Sequence, residues 1–197
     1  MKYRLNKDSL LEILSQWNAF LKRKIHLIAC GGTALTLLGI KPSTKDVDMI
    51  VPDEGEHRYL TKALRDLGYQ QTTGSGWQKK GDLYIFDLFA GKRIHTTELL
   101  ESPLGENNHT LFKEFSHLYI GILNDYDLIA SKLFREATVD FEDCLMLFKA
   151  HQKKIDIKYL KEHYRELAGY DIAEERVLGH LDHFLGLLKK EGTDNGE

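Results

Sequence analysis

Residues 28–50 run Ile28-Ala29-Cys30-Gly31-Gly32-Thr33-Ala34-Leu35, and then, after Pro42, Ser43-Thr44-Lys45-Asp46-Val47-Asp48-Met49-Ile50. The apolar run His26 to Cys30 predicts a strand that ends at the glycine pair. Thr33 to Leu38 predicts a short helix stopped by Gly39 and Pro42, and Lys45 to Val51 a second strand stopped by Pro52. Side chains two apart in a strand share a face, so Asp46 and Asp48 would project together, with Val47 and Met49 turned away. Adjacent anions repel, and a hard divalent cation between them relieves the repulsion while keeping positions open for phosphate and water. The same pair also fits an exposed strand end whose acids meet only solvent. Gly31-Gly32-Thr33 is equally two-sided: it fits plain chain reversal, or an anion cradle made of the first helical amides and the Thr33 hydroxyl.

Outward from this stretch, Leu83-Tyr84-Ile85-Phe86-Asp87-Leu88-Phe89 is an apolar strand with one charge at its centre. A lone buried carboxylate is expensive. It is satisfied either by a backbone amide or nearby cation, or by convergence with Asp46 and Asp48 if the two strands are neighbours; three carboxylates suffice for two metal ions at a phosphoryl centre. Tyr69 to Thr73, Gly76 to Lys79 and Leu83 to Ala90 read as an antiparallel meander with turns at Gly74-Ser75-Gly76 and Lys80-Gly81-Asp82. Trp77 beside the first turn fits hairpin packing or the stacking of a base.

Asn6 to Lys24 has the spacing of an amphipathic helix, with Leu10, Leu11, Leu14, Trp17 and Leu21 on one face, and His57 to Leu67 predicts a helix covering the sheet. Gly91 to Ser116 reads as loop with a short strand near Thr110 to Phe115, followed by a strand at Leu118 to Leu123. From there the pattern turns helical: Asp125 to Ala137, Asp140 to His151, Ile157 to Ala168 and Ile172 to Lys190, with a frayed tail from Glu191. His180 and His183 stand at i, i+3 with no third ligand in the spacing and read as surface histidines.

At roughly 150 residues per domain, 197 residues give one compact unit or a small one with a helical extension. Hydrophobic residues at 42% and charged residues at 29% belong to a folded chain. Lys and Arg number 27 against 30 Asp and Glu, and the resulting charge of −3 excludes a wholesale basic surface while leaving room for a local basic groove. The longest apolar run, Cys144 to Phe148, is far short of the ~18 residues a membrane span needs, and Met1 to Asp8 lacks the apolar stretch of a secretion signal. The expected location is the cytoplasm, with no membrane partner. Cys30 and Cys144 lie in apolar segments and are expected as buried thiols.

Gly31-Gly32-Thr33-Ala34 and Ser43 to Ile50, with Asp87 downstream, resemble the signature of the DNA polymerase β-type nucleotidyltransferase superfamily. The continuous Gly-Gly-Thr-Ala-Leu and Thr-Lys-Asp-Val-Asp spacing is most similar to small prokaryotic proteins related to abortive-infection toxin nucleotidyltransferases. A second patch, Asp127 to Leu133 with Arg135 and then Asp140-Phe141-Glu142-Asp143, extends the resemblance, although Val139 stands where relatives carry an arginine. The resemblance implies an α+β fold, a nucleotidyltransferase-like mixed sheet flanked by helices over residues 1–123 and a C-terminal helical bundle over 124–197. It implies that Gly31 and Gly32 shape the phosphate turn, that Thr33 helps hold the triphosphate, and that Asp46, Asp48 and Asp87 bind Mg²⁺ or Mn²⁺. Asp87 would also help activate the attacking hydroxyl, and Lys132 would contact phosphate. Asp140 and Asp143 fit helix capping or substrate contact. The implied reaction moves a nucleoside monophosphate from a nucleoside triphosphate, ATP among them, to a hydroxyl of RNA such as tRNA, of a protein or of a small molecule, releasing pyrophosphate. The alternative is a non-catalytic nucleotide- or partner-binding module, as in a toxin and antitoxin pair.

Overall fold

The computed structural model describes residues 4–135 and 137–193. Contacts divide these into two compact units, the first running to Ile94 and resuming over Leu99–Asn124, the second comprising His95–Glu98 and the chain from Asp125 onward. No helix among the described residues is long and apolar enough to cross a membrane.

In the first unit, α1 (Lys7–Phe20) opens at Asn6, whose side chain accepts the Ser9 N–H at 2.9 Å, and buries Leu10, Leu14 and Trp17. Seven strands form one mixed sheet: β1 (Ile25–Ala29), β2 (Val47–Val51), β3 (Tyr69–Gln71), β4 (Gly76–Lys79), β5 (Phe86–Ala90), β8 (His109–Glu114) and β9 (Leu118–Leu123). Their order across the sheet is β3-β4-β5-β2-β1-β9-β8. The meander β3-β4-β5 is antiparallel as the turns require, whereas β2 runs parallel to β5 and β1 parallel to β9. All five residues of central β2 are buried, the pattern of a strand covered on both faces. The helix α2 (Gly31–Leu37) follows β1, and α3 (Glu54–Asp66), capped by Asp53 through the Glu56 N–H at 2.8 Å, lays Leu60, Ala63 and Leu64 on the sheet. Trp17 locks α1 down: its ring lies 4.5 Å from that of Phe86, and its Nε1–H donates to the Tyr69 hydroxyl at 3.2 Å. Trp77 is buried at 2% exposure with the Arg65 guanidinium over its ring, so packing accounts for it.

The stretch expected as loop holds two further strands, β6 (Arg93–Ile94) and β7 (Thr97–Glu98). Two residues carry no alternation to read, and His95 at φ +50° makes the turn between them in a conformation where glycine would be the usual signal. The strand expected near Thr110 is β8, whose register against β9 slips between Leu111 and Lys113 and so breaks the alternation.

The second unit is a bundle of α4 (Asp125–Arg135), α5 (Thr138–His151), α6 (Ile157–Ala168) and α7 (Glu174–Thr193). The architecture is therefore α+β, a mixed sheet with flanking helices followed by a helical bundle. Asp156 caps α6 by accepting the Lys158 N–H at 2.7 Å. Leu128, Leu133, Leu147, Leu160, Val177 and Phe184 fill the bundle core around Tyr164, whose hydroxyl donates to the Val177 carbonyl at 2.8 Å. Burial pushes the Tyr164 phenol and the Cys144 thiol far above their ordinary values, and Cys30 is buried as well. His180 is a correction to the sequence reading: it is buried, and its Nδ1–H donates to the Leu133 carbonyl at 2.8 Å, a role that needs the tertiary fold to be seen. The tail beyond Thr193 and Glu136 lie outside the described residues.

Candidate active site

β1 hands over to α2 through Gly31, which takes φ +55°. A Cβ here would collide with Asp48 Oδ2 and stand 2.9 Å from its Cγ. Glycine is thus required twice, by the left-handed backbone and by the space the Asp48 carboxylate occupies. Gly31→Ala should lower stability by about 2 kcal/mol, of which roughly 1–2 is the left-handed φ, as measured by urea unfolding; a loss under about 0.5 kcal/mol, the ordinary range of surface substitutions, would show that the contact is not tight. Gly32 faces Thr44, whose Oγ1 would lie 3.0 Å from a Cβ.

Thr33, in the first turn of α2, is fully buried. Its hydroxyl accepts the Asp48 N–H at 2.9 Å and donates to the Asp46 carbonyl at 3.4 Å, while the Thr44 hydroxyl donates to that same carbonyl at 2.8 Å. Thr44 is itself held by an antiparallel bridge to Leu5. Two hydroxyls and an N-terminal bridge therefore fix the main chain that carries Asp46 and Asp48. The consequence is a later start for β2 than the sequence predicts: it begins at Val47, and Asp46 occupies a bend. Strict alternation does not extend through residue 46 for that reason.

Asp48 and Asp87 are register partners of the parallel strands β2 and β5. In-register neighbours emerge on the same face, with strands about 4.8 Å apart, so these two carboxylates stand side by side. Asp48 is 8% exposed. Asp46, about a third exposed, accepts the Ile85 N–H at 3.4 Å and has the Lys45 ammonium 3.4 Å from its other oxygen. Asp87 accepts a hydrogen bond from the Ser75 hydroxyl at 2.7 Å. Among the described residues, no group of three or more His, Cys, Asp or Glu side chains is drawn together as a metal-holding cluster. A magnesium ion, however, is commonly held by one or two carboxylates with phosphate and water oxygens completing its shell. The register-paired Asp48 and Asp87 fit that requirement in donor chemistry.

Lys132 belongs to the second unit. It is 2% exposed, and its ammonium lies 2.7 Å from Asp143 Oδ2 and 3.3 Å from Asp140 Oδ1. Asp140 also accepts two bonds from Arg135, at 2.6 and 2.9 Å, and the Ala137 N–H at 3.2 Å, so it caps α5 and closes an ion network at once. Arg135 reaches on to His95 Nε2 at 3.2 Å. Burial alone would raise the Asp140 carboxyl, but the hydrogen bonds and charges of Arg135 and Lys132 outweigh it and hold it below the ordinary value.

Sequence reasoning passed over Thr44 and Ser75. Thr44 lies two residues before Asp46 and offered a local cue, whereas Ser75 sits in a turn cluster with nothing to tie it to Asp87 until the strands are paired.

A mixed sheet in which a glycine-opened helix abuts an aspartate-bearing central strand, followed by a helical bundle, is a nucleotidyltransferase-superfamily fold. The chain belongs to the family described as nucleotidyltransferase of unknown function (DUF6036), which it matches over residues 8–184. No curated protein matches the sequence. Among solved structures it is similar to ANT(2'')-Ia in complex with adenylyl-2''-tobramycin, at 15% identity and a TM-score of 0.47, covering 91% of this chain and 99% of that one. It is also similar to a putative nucleotidyltransferase from H. pylori, at 16% identity and a TM-score of 0.46 over 98% of this chain and 100% of that one. A third, a putative nucleotidyltransferase from Thermotoga maritima, has 14% identity and a TM-score of 0.40 over 81% and 98% of the two chains.

Proposed function

We propose that the chain is a metal-dependent nucleotidyltransferase that moves a nucleoside monophosphate from a nucleoside triphosphate to a hydroxyl acceptor and releases pyrophosphate. The observation that carries this reading is the register pairing of Asp48 with Asp87 beside Gly31, whose missing Cβ makes room for the Asp48 carboxylate. Two carboxylates on one face of neighbouring strands repel, and holding them there without function would be a net cost. Asp48 and Asp87, with Asp46 at the edge, would hold Mg²⁺ or Mn²⁺. Bound there, the ion would offset triphosphate charge and lower the proton affinity of the attacking hydroxyl.

The chain's own contribution is positioning. Gly31 makes room for the Asp48 carboxylate, Gly32 is where the triphosphate would meet the start of α2, and the Thr33 and Thr44 hydroxyls keep Asp46 and Asp48 in place. Asp87, on the strand alongside, is the group assigned to take the proton of the acceptor hydroxyl. Lys132, in this reading, supports the second unit from within its ion network and acts on phosphate only if that network opens. The kinship with abortive-infection toxins rests on the spacing of Gly31 to Leu35 and Thr44 to Asp48, and it makes a role in a cytoplasmic toxin and antitoxin pair part of the proposal.

The test is incubation of the purified chain with each α-labelled triphosphate, Mg²⁺ or Mn²⁺ and a cell extract, followed by separation of RNA, protein and small molecules. Label entering one fraction with matching pyrophosphate release is the expected result. Nucleotide binding without pyrophosphate release would instead make the chain a binding module, and free labelled monophosphate with no modified acceptor would make it a hydrolase.

A further inference from the structure

The β3–β4 hairpin bends back on itself at residues 72–76, where the Thr72 N–H donates to the Gly76 carbonyl at 2.8 Å and the Gly76 N–H donates to Thr73 Oγ1 at 3.1 Å. Gly76 has no room for a side chain: a Cβ would meet Thr73 Oγ1, and would find Thr72 Oγ1 at 3.0 Å and Ile85 Cγ2 at 3.1 Å. Gly76 is also the partner of Asp87 in the antiparallel β4/β5 register. The turn therefore delivers Ser75 to β5 along two lines. Its carbonyl accepts the Leu88 N–H at 2.9 Å, and its hydroxyl donates to Asp87 Oδ1 at 2.7 Å.

We propose that Ser75 is the positioning residue of Asp87, fixing that carboxylate from the β4 flank while Asp48 stands on the β2 flank; the role rests on the reaction proposed above. The order β4-β5-β2 puts the two on opposite sides of Asp87. A hydroxyl bonded to Oδ1 restricts the rotation of the carboxylate and leaves Oδ2 as the oxygen that Ser75 does not engage. A ligand that must collect oxygens from Asp48 and Asp87 then finds one of them already oriented. The hairpin main chain is anchored on Leu88 independently of the hydroxyl, so removal of the hydroxyl should unseat the carboxylate without unseating the turn.

The test is Mn²⁺ binding to the full chain, followed by electron paramagnetic resonance in the presence of a non-hydrolysable triphosphate, for the wild type and for Ser75→Ala, Ser75→Thr and Asp87→Asn. Ser75→Ala is expected to weaken Mn²⁺ binding by about ten- to a hundredfold, the usual size of an outer-shell loss. Ser75→Thr, which keeps the donor, should stay within about threefold of wild type, well inside that range. If Ser75→Ala does not fold, Ser75→Cys, similar in size but a weak donor, takes its place with the same expectation. Wild-type affinity in the folded hydroxyl-deleted variant, with Asp87→Asn impaired, would overturn the role of Ser75 and leave the reaction standing. A wild-type chain that binds no Mn²⁺ would overturn both.

Discussion

Asp48→Asn is expected to lower nucleotidyl transfer by at least about a thousandfold, a loss of the size seen when a group that stabilises transition-state charge is removed, and to do so in a protein that is no less stable than wild type. The two halves of this result have one origin. Asp48 and Asp87 stand in register on the same face of adjacent parallel strands, and like charges so placed destabilise a sheet by about 0.2–1 kcal/mol. Asparagine keeps the shape, the Asp48 N–H to Thr33 bond and the contact with Gly31, but removes one of the two anions. Folding should therefore hold steady or improve slightly while the chemistry is lost. Labelled transfer and urea unfolding on the same preparation check both parts. A purified Asp48→Asn protein that still transfers nucleotide would remove the basis of the proposed reaction, and a large loss of stability would show that the carboxylate is structural. Asp46→Asn should lose turnover as well, though its group is more exposed and shares an amide and a lysine.

The pairing that makes this prediction possible was half legible in the sequence. Apolar runs bounded by turn residues located β2 and β5, and the lone charge in Leu83 to Phe89 marked Asp87, but only the tertiary register shows that residue 87 faces residue 48. The glycine pair was visible, yet its reason was not: Gly31 is needed because the Asp48 side chain fills the space a Cβ would take, a contact across seventeen residues. Thr33 carries the same lesson. Its position at the start of a helix suggested a phosphate ligand, and in the fold its hydroxyl faces β2 and holds the Asp48 amide. The helix with the most one-sided apolar face was read best, Ile157–Ala168 to the residue, whereas Glu54–Asp66 starts three residues before the apolar spacing shows it. Arg93–Ile94 and Thr97–Glu98 escaped because strands that short exist only through their neighbours. Side chains that hold a group outside their own element, such as Thr44 on the Asp46 carbonyl and Ser75 on the Asp87 carboxylate, leave no periodic trace at all.

Lys132→Ala should cost about 3–5 kcal/mol of unfolding free energy at neutral pH, the usual consequence of deleting one partner of a buried ion pair. Lys132, Asp140 and Asp143 are each under 5% exposed in their side chains, so the carboxylates left behind cannot turn to water. Arg135 still reaches Asp140, so the network keeps one of its two cations. Acid sets a second check. The Asp140 carboxyl is depressed below its ordinary 3.8, so its ionised form contributes stability above about that pH, and the contribution is lost as pH falls through the lower folded value. Lys132 is one of the two cations that depress the Asp140 carboxyl, so the share of the Lys132→Ala deficit that runs through Asp140 should be full at pH 7 and narrow as pH falls below its ordinary 3.8 toward the lower folded value. Replacing both partners, as in Lys132→Met with Asp143→Leu, should recover much of the loss, because apolar groups of similar volume need no counter-charge. Urea unfolding of the wild type and the two variants measures all of this. A deficit below about 1 kcal/mol, the level of an exposed pair, would mean that the network is not what holds the bundle.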